Sequence, residues 1–377
     1  MVRSDKLGKM CVVWNAFRNV NLVEPETTQF GQILSAMRLV LHQDIQAKLY
    51  KEIPYVTSNN NRSLSDSNIP KLPYLQAVVK ETLIHPPGMY QGCWYYPNTL
   101  LGVLNFQKGF KPQETDIVIA SFPKSGTTWL KALTVALLER TKNSSSGVPH
   151  PLQSDNPHGL VPFLETNVYL NSSTPDLTKF SSPRLFSTHM PLRTLQVPFK
   201  DSPCKIVYVC RNVKDVLVSQ WYFRCAYLQK EVDKSLLSSS LDSLCSGVGY
   251  FGPFWENVLS YWRGSLEDPE HVLFMRYEEM KSEPAAQVKR LAEFLGCPFT
   301  EEEEEGGSVD KILELCSLRS LSGMEINKTG RTSNNVHHSN FFRKGEVGDS
   351  KNYLTPEMEN KIDMIIEEKY KGSGLKY

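Results

Sequence analysis

From about Pro87 onward, short apolar runs alternate with stretches whose apolar residues recur at helical spacing. Residues 116–120 read as a buried strand, Asp116 followed by Ile117, Val118, Ile119 and Ala120. Residues 184–188, 205–210 and 271–275 read as three more. Helical patterns follow at Thr127 to about Leu138, Val213 to about Phe223, and around 285–294. From Pro356 the spacing of Met358, Ile362, Ile365 and Ile366 marks one face of a last helix. Parallel strands need crossover segments, so this alternation predicts an α/β fold with a central parallel sheet flanked by helices.

Between these elements, the Ser- and Asn-rich stretches at 143–146, 171–173 and 238–240 read as surface loops. The five acids from Glu301 to Glu305 follow Thr300 and read as a solvated helix start, favoured by the helix dipole. The first 86 residues differ in character. Helical stretches at 27–53 and 73–83 flank a polar break at 58–67 that reads as a linker or exposed loop.

Composition narrows the partners. A formal net charge of +1 over 377 residues argues against nucleic acid or a membrane surface and for a small-molecule substrate. No apolar run is long enough to span a bilayer, and the one at Cys11–Trp14 is too short for a secretory signal. The eight cysteines are scattered and form no C-x-x-C pair, so they read as thiols in a reducing compartment rather than zinc ligands or a disulfide framework. A cytoplasmic location is expected.

The strongest chemical signal lies between the first strand and its helix: Ser121, Phe122, Pro123, Lys124, Ser125, Gly126, Thr127, Thr128 and Trp129. A helix start there offers unpaired N–H groups to an anion. Gly126 lets the backbone close, Thr127 and Thr128 add hydroxyl donors, and Lys124 supplies a point charge. In a Walker A loop Gly directly precedes Lys; here Lys precedes Gly by two positions, which disfavours a P-loop kinase. His189 follows the second strand, where α/β proteins bind ligands, and its near-neutral pKa suits it to act as a base. A structural role is the alternative for a lone histidine there. Arg211 ends the third strand and can pair with a phosphate, with a salt bridge as its alternative; Ser219, eight residues on, could equally be a packing hydroxyl.

The loop resembles the donor-binding loop of the cytosolic sulfotransferases. It is joined by Trp94, Tyr95, Tyr96, Pro97 and Asn98; by Asn156, Pro157 and His158; and by Phe342, Arg343, Lys344, Gly345, Glu346, Val347, Gly348 and Asp349. The combination is similar to the plant branch, flavonol and hydroxyjasmonate types included, from about Tyr90 to Tyr377. This resemblance implies PAPS (3′-phosphoadenosine 5′-phosphosulfate) as sulfonate donor, a P-loop-like phosphosulfate-binding loop (Lys124, Ser125, Gly126, Thr127, Thr128), and no metal. It implies catalytic roles for His189, as base, and Lys124. Arg211, Ser219, Arg343, Lys344 and Gly345 would hold the 3′-phosphate, and Trp129 and Tyr277 the adenine, with residues 316–318 as a weaker match. The acceptor would be a small hydroxyl compound such as a flavonoid, phenolic or hormone, with Trp94, Tyr95, Phe122, Phe163 and Trp221 as pocket or core residues.

Ser187 stands where many animal members carry Lys, and Ser350 where the family usually has Trp. The animal dimerisation pattern is only partly present, so the oligomeric state stays open. A donor-binding protein that does not catalyse is the alternative function. Residues 71–87 resemble a different family, the plant haem-thiolate monooxygenases. Ile84 replaces the Arg of their E-x-x-R pair and no haem-ligand Cys segment follows, so residues 1–86 are expected to be a fused remnant without haem, and 87–377 the sulfotransferase domain.

Overall fold

The computed structural model describes residues 88–141, 149–199, 202–228, 231–332 and 336–376. The expected N-terminal helices, the 58–67 break and the 143–146 loop lie outside the described residues. The chain divides into two units, one of residues 1–88 with 95–102 and one of 89–94 with 103–377. In the described part of the first, Leu100 N–H donates to Tyr96 O at 2.8 Å, a helical turn.

In the second unit, four runs of buried apolar residues pair as parallel strands: β1 (Ile117–Ser121), β2 (Leu185–Thr188), β3 (Lys205–Cys210) and β4 (Val272–Arg276). Their order is β2-β1-β3-β4, with Ile117 level with both Leu185 and Lys205, and Ile206 level with Val272. β1 therefore has β2 on one side and β3 on the other. The chain switches direction there, and in such sheets ligands bind beyond the carboxyl ends of the strands. Strands 116–120 and 271–275 were each expected one residue early, a shift within the usual uncertainty of element ends.

Helices cover the sheet. They include α1 (Thr127–Arg140), α2 (Pro157–Leu160), α3 (Val213–Tyr227), α4 (Lys234–Cys245), α5 (Phe254–Glu267), α6 (Tyr277–Ser282), α7 (Pro284–Leu295), α8 (Glu301–Glu305) and α9 (Pro356–Tyr370). α1 brings Leu130, Leu133, Ala136 and Leu137 into a cluster with Ile117, Val207 and Met275. α7 adds Val288, Leu291 and Leu295 before Gly296 ends it at a left-handed φ of 78°. α8 is the expected acidic helix, and Thr300 and Glu303 close a capping box. α9 buries Ile362 on the expected face.

One loop expectation is corrected. Ser238–Ser240 lie inside α4, not in a loop. The Asp233 carboxylate caps that helix by accepting from Ser235 N–H, and Leu237 and Leu241, one turn apart, are buried. Burial of that stripe outweighs the weak helix propensity of serine.

At the amino-terminal edge of the sheet, Asp116 and Arg184 form a buried two-pronged pair. Arg184 Nε donates to Asp116 Oδ1 at 2.7 Å and Nη2 to Oδ2 at 2.6 Å.

Candidate active site at the carboxyl edge of the sheet

β1 delivers the chain into a loop that two left-handed residues fold back on itself. Lys124 has φ 72° and Gly126 φ 111°. A non-glycine residue at positive φ is strained, and such strain gathers at ligand clamps. Gly126 is required twice over, because a Cβ there would fall 2.7 Å from Cδ2 of Tyr277. α1 starts directly after it with no side-chain cap, so its first N–H groups face outward unpaired by a side chain. The Ser125 hydroxyl is buried and has no hydrogen-bond partner. A buried hydroxyl beside free helix amides suits an anion.

Cations crowd this loop. Lys124 Nζ lies 4.2 Å from the centre of the Phe223 ring. Burial, with Arg343 and Arg211 nearby, lowers its pKa to about 7. Arg211 sits over the Tyr277 ring at 4.4 Å, donates to Glu346 O at 2.6 Å and faces Asp215 at 3.3 Å, while its Nε is buried without a partner. Arg343 and Lys344 both hold Asp349, at 2.5 and 2.7 Å, and Arg343 Nε is likewise unpartnered. Burial disfavours the Asp349 charge, but hydrogen bonds from Lys344 and Arg343 outweigh it and hold the carboxyl at about 2. Gly345 turns at φ 65°, close against Leu318.

Ser219 is buried on α3, two turns beyond Arg211. The Trp129 and Tyr277 rings meet edge to face with centres 5.7 Å apart. The site thus brings together residues that follow β1, β3 and β4 with the 343–350 segment, all far apart in the chain.

His189 completes it. Its Nδ1 lies 2.7 Å from Ser121 O, an atom that can only accept, so Nδ1 carries the hydrogen and Nε2 keeps a free lone pair. The backbone is fixed on both sides: His189 N–H donates to Glu165 Oε1 at 2.8 Å, and Asn257 Nδ2 donates to His189 O at 2.9 Å. The Phe163 ring lies 4.5 Å from the imidazole. Burial pushes the His189 pKa down to about 3; the hydrogen bond to Ser121 O opposes this, and Lys131 and Lys124 add to it. Glu165, itself buried, is pushed up to about 7 by burial, against the hydrogen bond it accepts from His189 N–H. Glu165 Oε2 has no partner.

Of the expected acceptor-side aromatics, only Phe163 has a ring contact with His189. Phe122 is buried edge-on to Phe254, and Trp221 is buried with Nε1 donating to Asp233 O. Trp94 joins the 251–252 backbone through two hydrogen bonds, Tyr95 is buried, and Cys316 belongs to the apolar core.

Sequence reasoning missed the carboxylates. Asp215 accepts from Gly348 N–H at 2.8 Å and Ser350 N–H at 2.9 Å, which ties the basic segment to α3 beside Arg211. Asp215 stands one helical turn from Arg211, a spacing that could have flagged the pair. Lys131 is fully buried between apolar residues of α1, a charge in the middle of an apolar run that was also a readable signal.

Among the described residues no cluster of His, Cys, Asp and Glu could hold a metal ion, and no helix is long and apolar enough to cross a membrane.

Comparison with known proteins places this geometry. A family model described as "Sulfotransferase domain" matches residues 114–374, and one described as "Cytochrome P450" matches residues 25–90. Cytosolic sulfotransferase 1 of Arabidopsis thaliana is 67% identical over 292 residues, covering 76% of this chain and 88% of the relative. Cytosolic sulfotransferase 8 of the same plant is 68% identical over 289 residues, covering 76% and 86%. Among solved structures, an Arabidopsis thaliana sulphotransferase shares 38% identity at a TM-score of 0.60, over 83% of this chain and 98% of that one. A mouse sulfotransferase complexed with PAP, the desulfonated donor, shares 27% at a TM-score of 0.57, over 76% and 95%. A family model that spans most of the chain, and relatives two-thirds identical over three-quarters of it, lead to one conclusion: the chain belongs to the sulfotransferase family.

Proposed function

We propose that the chain transfers a sulfonate group from PAPS to the hydroxyl of a small acceptor such as a flavonoid, phenolic or hormone, with His189 as general base. The observation that carries this is the juxtaposition at the carboxyl edge of β1. A neutral imidazole with Nε2 free is held by Ser121 O, and the same strand leads into a loop of anion-binding character.

The residues fit the donor. Ser125, Gly126, Thr127 and Thr128 with the first amides of α1 would hold the 5′-phosphate. Arg211, Ser219, Arg343, Lys344 and Gly345 would hold the 3′-phosphate, and Trp129 and Tyr277 would frame the adenine. PAPS, when bound, supplies the sulfonate on an activated phosphosulfate linkage. His189 Nε2 receives the proton of the acceptor hydroxyl, and Lys124 with the loop amides stabilises negative charge on the leaving side. Burial, with neighbouring cations, holds the pKa values of His189 and Lys124 low. Negative charge at the loop raises both, which strengthens His189 as a base only when the donor is in place.

A PAP-binding protein without turnover has less support. At Ser350 the Asp215 carboxylate grips the main-chain N–H, so a change of side chain there leaves that bond intact. The likeness to cytosolic sulfotransferases supports a cytosolic location. Sulfonate transfer from labelled PAPS to a panel of plant hydroxyl compounds is the test. His189→Ala is expected to lower turnover by about 10²–10⁴ with PAP affinity nearly unchanged. Turnover within a few-fold of wild type removes His189 from the mechanism.

For the first 86 residues we propose a fused remnant of a haem-thiolate monooxygenase that binds no haem, a reading supported by the match over 25–90. Haem titration checks this: a Soret band that grows with added haem at one equivalent overturns it.

A further inference from the structure

Behind the loop, Thr128 continues into a line of two polar groups that the proposed chemistry does not use, half-buried His158 and buried Lys131. Lys131, in the third position after Thr128, is fully buried. Its Nζ lies 2.7 Å from Val161 O, 3.0 Å from His158 Nδ1 and 3.6 Å from the centre of the Phe163 ring. On the other side of the same imidazole, His158 Nε2 lies 2.9 Å from Thr128 Oγ1. The His158 backbone is fixed as well, because Asn156 Oδ1 accepts its N–H at 2.9 Å.

Hydrogen-bond bookkeeping gives this line a direction. An ammonium has three hydrogens and no lone pair, and Lys131 has three acceptors around it: a carbonyl, a ring nitrogen and an aromatic face. His158 Nδ1 is then an acceptor, so the ring hydrogen sits on Nε2. Nε2–H must donate to Thr128 Oγ1, which fills one lone pair of that hydroxyl. The Thr128 hydrogen is left to point away from His158.

We infer that His158 is a positioning residue, which Lys131 holds in its Nε2–H form so that Thr128 presents its hydroxyl hydrogen to an anion bound at the loop. The inference rests on the donor assignment proposed above. It explains why a lysine is kept in the apolar face of α1 at all, where its burial is costly. Burial lowers the pKa of both Lys131 and His158, and Glu165 opposes this for Lys131. The nearby cations lower His158 further, which keeps the ring neutral, as the relay needs. A neutral lysine has a lone pair and could instead accept from Nδ1–H, and every bond in the line would then reverse. The tautomer of His158 therefore decides the matter.

The test has two readouts. Nitrogen-detected histidine spectra of the full-length protein, assigned by loss of one ring signal in His158→Gln, are expected to give a pyrrole-like Nε2 and a pyridine-like Nδ1 at His158. The reverse pattern overturns the proposal whatever the protein binds. Calorimetry then compares PAP with adenosine 3′-monophosphate, which lacks the 5′-phosphate. His158→Leu is expected to weaken PAP about tenfold, the scale of one lost hydrogen bond to a charged group, and to leave the monophosphate unchanged. His158→Gln keeps an N–H donor toward Thr128 and is expected to restore PAP affinity. Equal losses for both nucleotides, or no rescue by glutamine, mean that His158 only supports the fold. Should His158→Leu not fold, Thr128→Val provides the same nucleotide comparison. A wild-type protein that binds no PAP sinks the donor assignment, and the spectra still report the direction of the line.

Discussion

The two edges of the parallel sheet are built on opposite principles. At the amino edge, Asp116 and Arg184 answer each other with two short hydrogen bonds. At the carboxyl edge, Ser125 Oγ, Arg211 Nε, Arg343 Nε and Glu165 Oε2 are buried with no partner. Buried polar atoms are normally satisfied, so these four exceptions around the loop and His189 are where the donor and acceptor are proposed to bind. At the amino edge Tyr169 Oη, near Arg184, is also unpaired.

That contrast can be broken most sharply at the amino edge. Arg184→Met leaves the Asp116 carboxylate buried without its counter-charge, with the Gln113 N–H still donating to it, which is expected to cost about 3–5 kcal/mol of stability. Denaturant melts measure the loss, and PAP affinity per folded molecule is expected to stay the same. A parallel loss of affinity would mean that the two edges are not independent.

The carboxyl edge is expected to behave in the reverse way. If Arg211 holds the 3′-phosphate as proposed, Arg211→Ala removes a charge-assisted contact and is expected to weaken PAP by about 1.5–3 kcal/mol, with little effect on the analogue lacking that phosphate. Lys344→Ala changes affinity in the same direction but less, because its side chain is more exposed. Melting temperatures that fall as far as they do for Arg184→Met would erase the distinction between the edges.

The smallest effect is one of pH. Lys124 has a pKa of about 7 in the free protein, and an anionic donor raises it. Between the two values the bound form holds the proton and the free form does not. Above pH 7, where the phosphates of PAP are already ionised, PAP affinity is therefore expected to fall, by at most about tenfold per unit for one proton. Calorimetry in buffers of different ionisation enthalpy detects the proton taken up. Affinity that rises with pH would contradict the sign.

Much of this was legible in the chain. Apolar runs such as Ile117–Ser121 announced the strands, and an anion loop followed by a helix start told which end of the sheet carries chemistry. Lys124, His189 and Arg211 follow strands, so their placement came with the fold. The carboxylate links to the basic segment were illegible because those partners are remote. Asp215 meets Gly348 and Ser350 across 133 and 135 residues, and no local pattern encodes that meeting. The serines at 238–240 misled for the opposite reason: local composition suggested a loop, and two buried leucines decided otherwise.

The bond from Asp215 to the 348–350 main chain has a consequence for how the protein comes into being. As the ribosome delivers the chain, the loop at Lys124, His189 and Arg211 emerge long before Arg343 and Lys344 do. The nascent protein can complete its sheet, since β4 ends at Arg276, yet it holds only half of a nucleotide grip. Asp215 is the latch that the closing segment must find. A donor molecule held by both halves as proposed would favour the finished protein over every shorter form of it, so nucleotide supply would act on the yield of mature protein as well as on its rate of turnover.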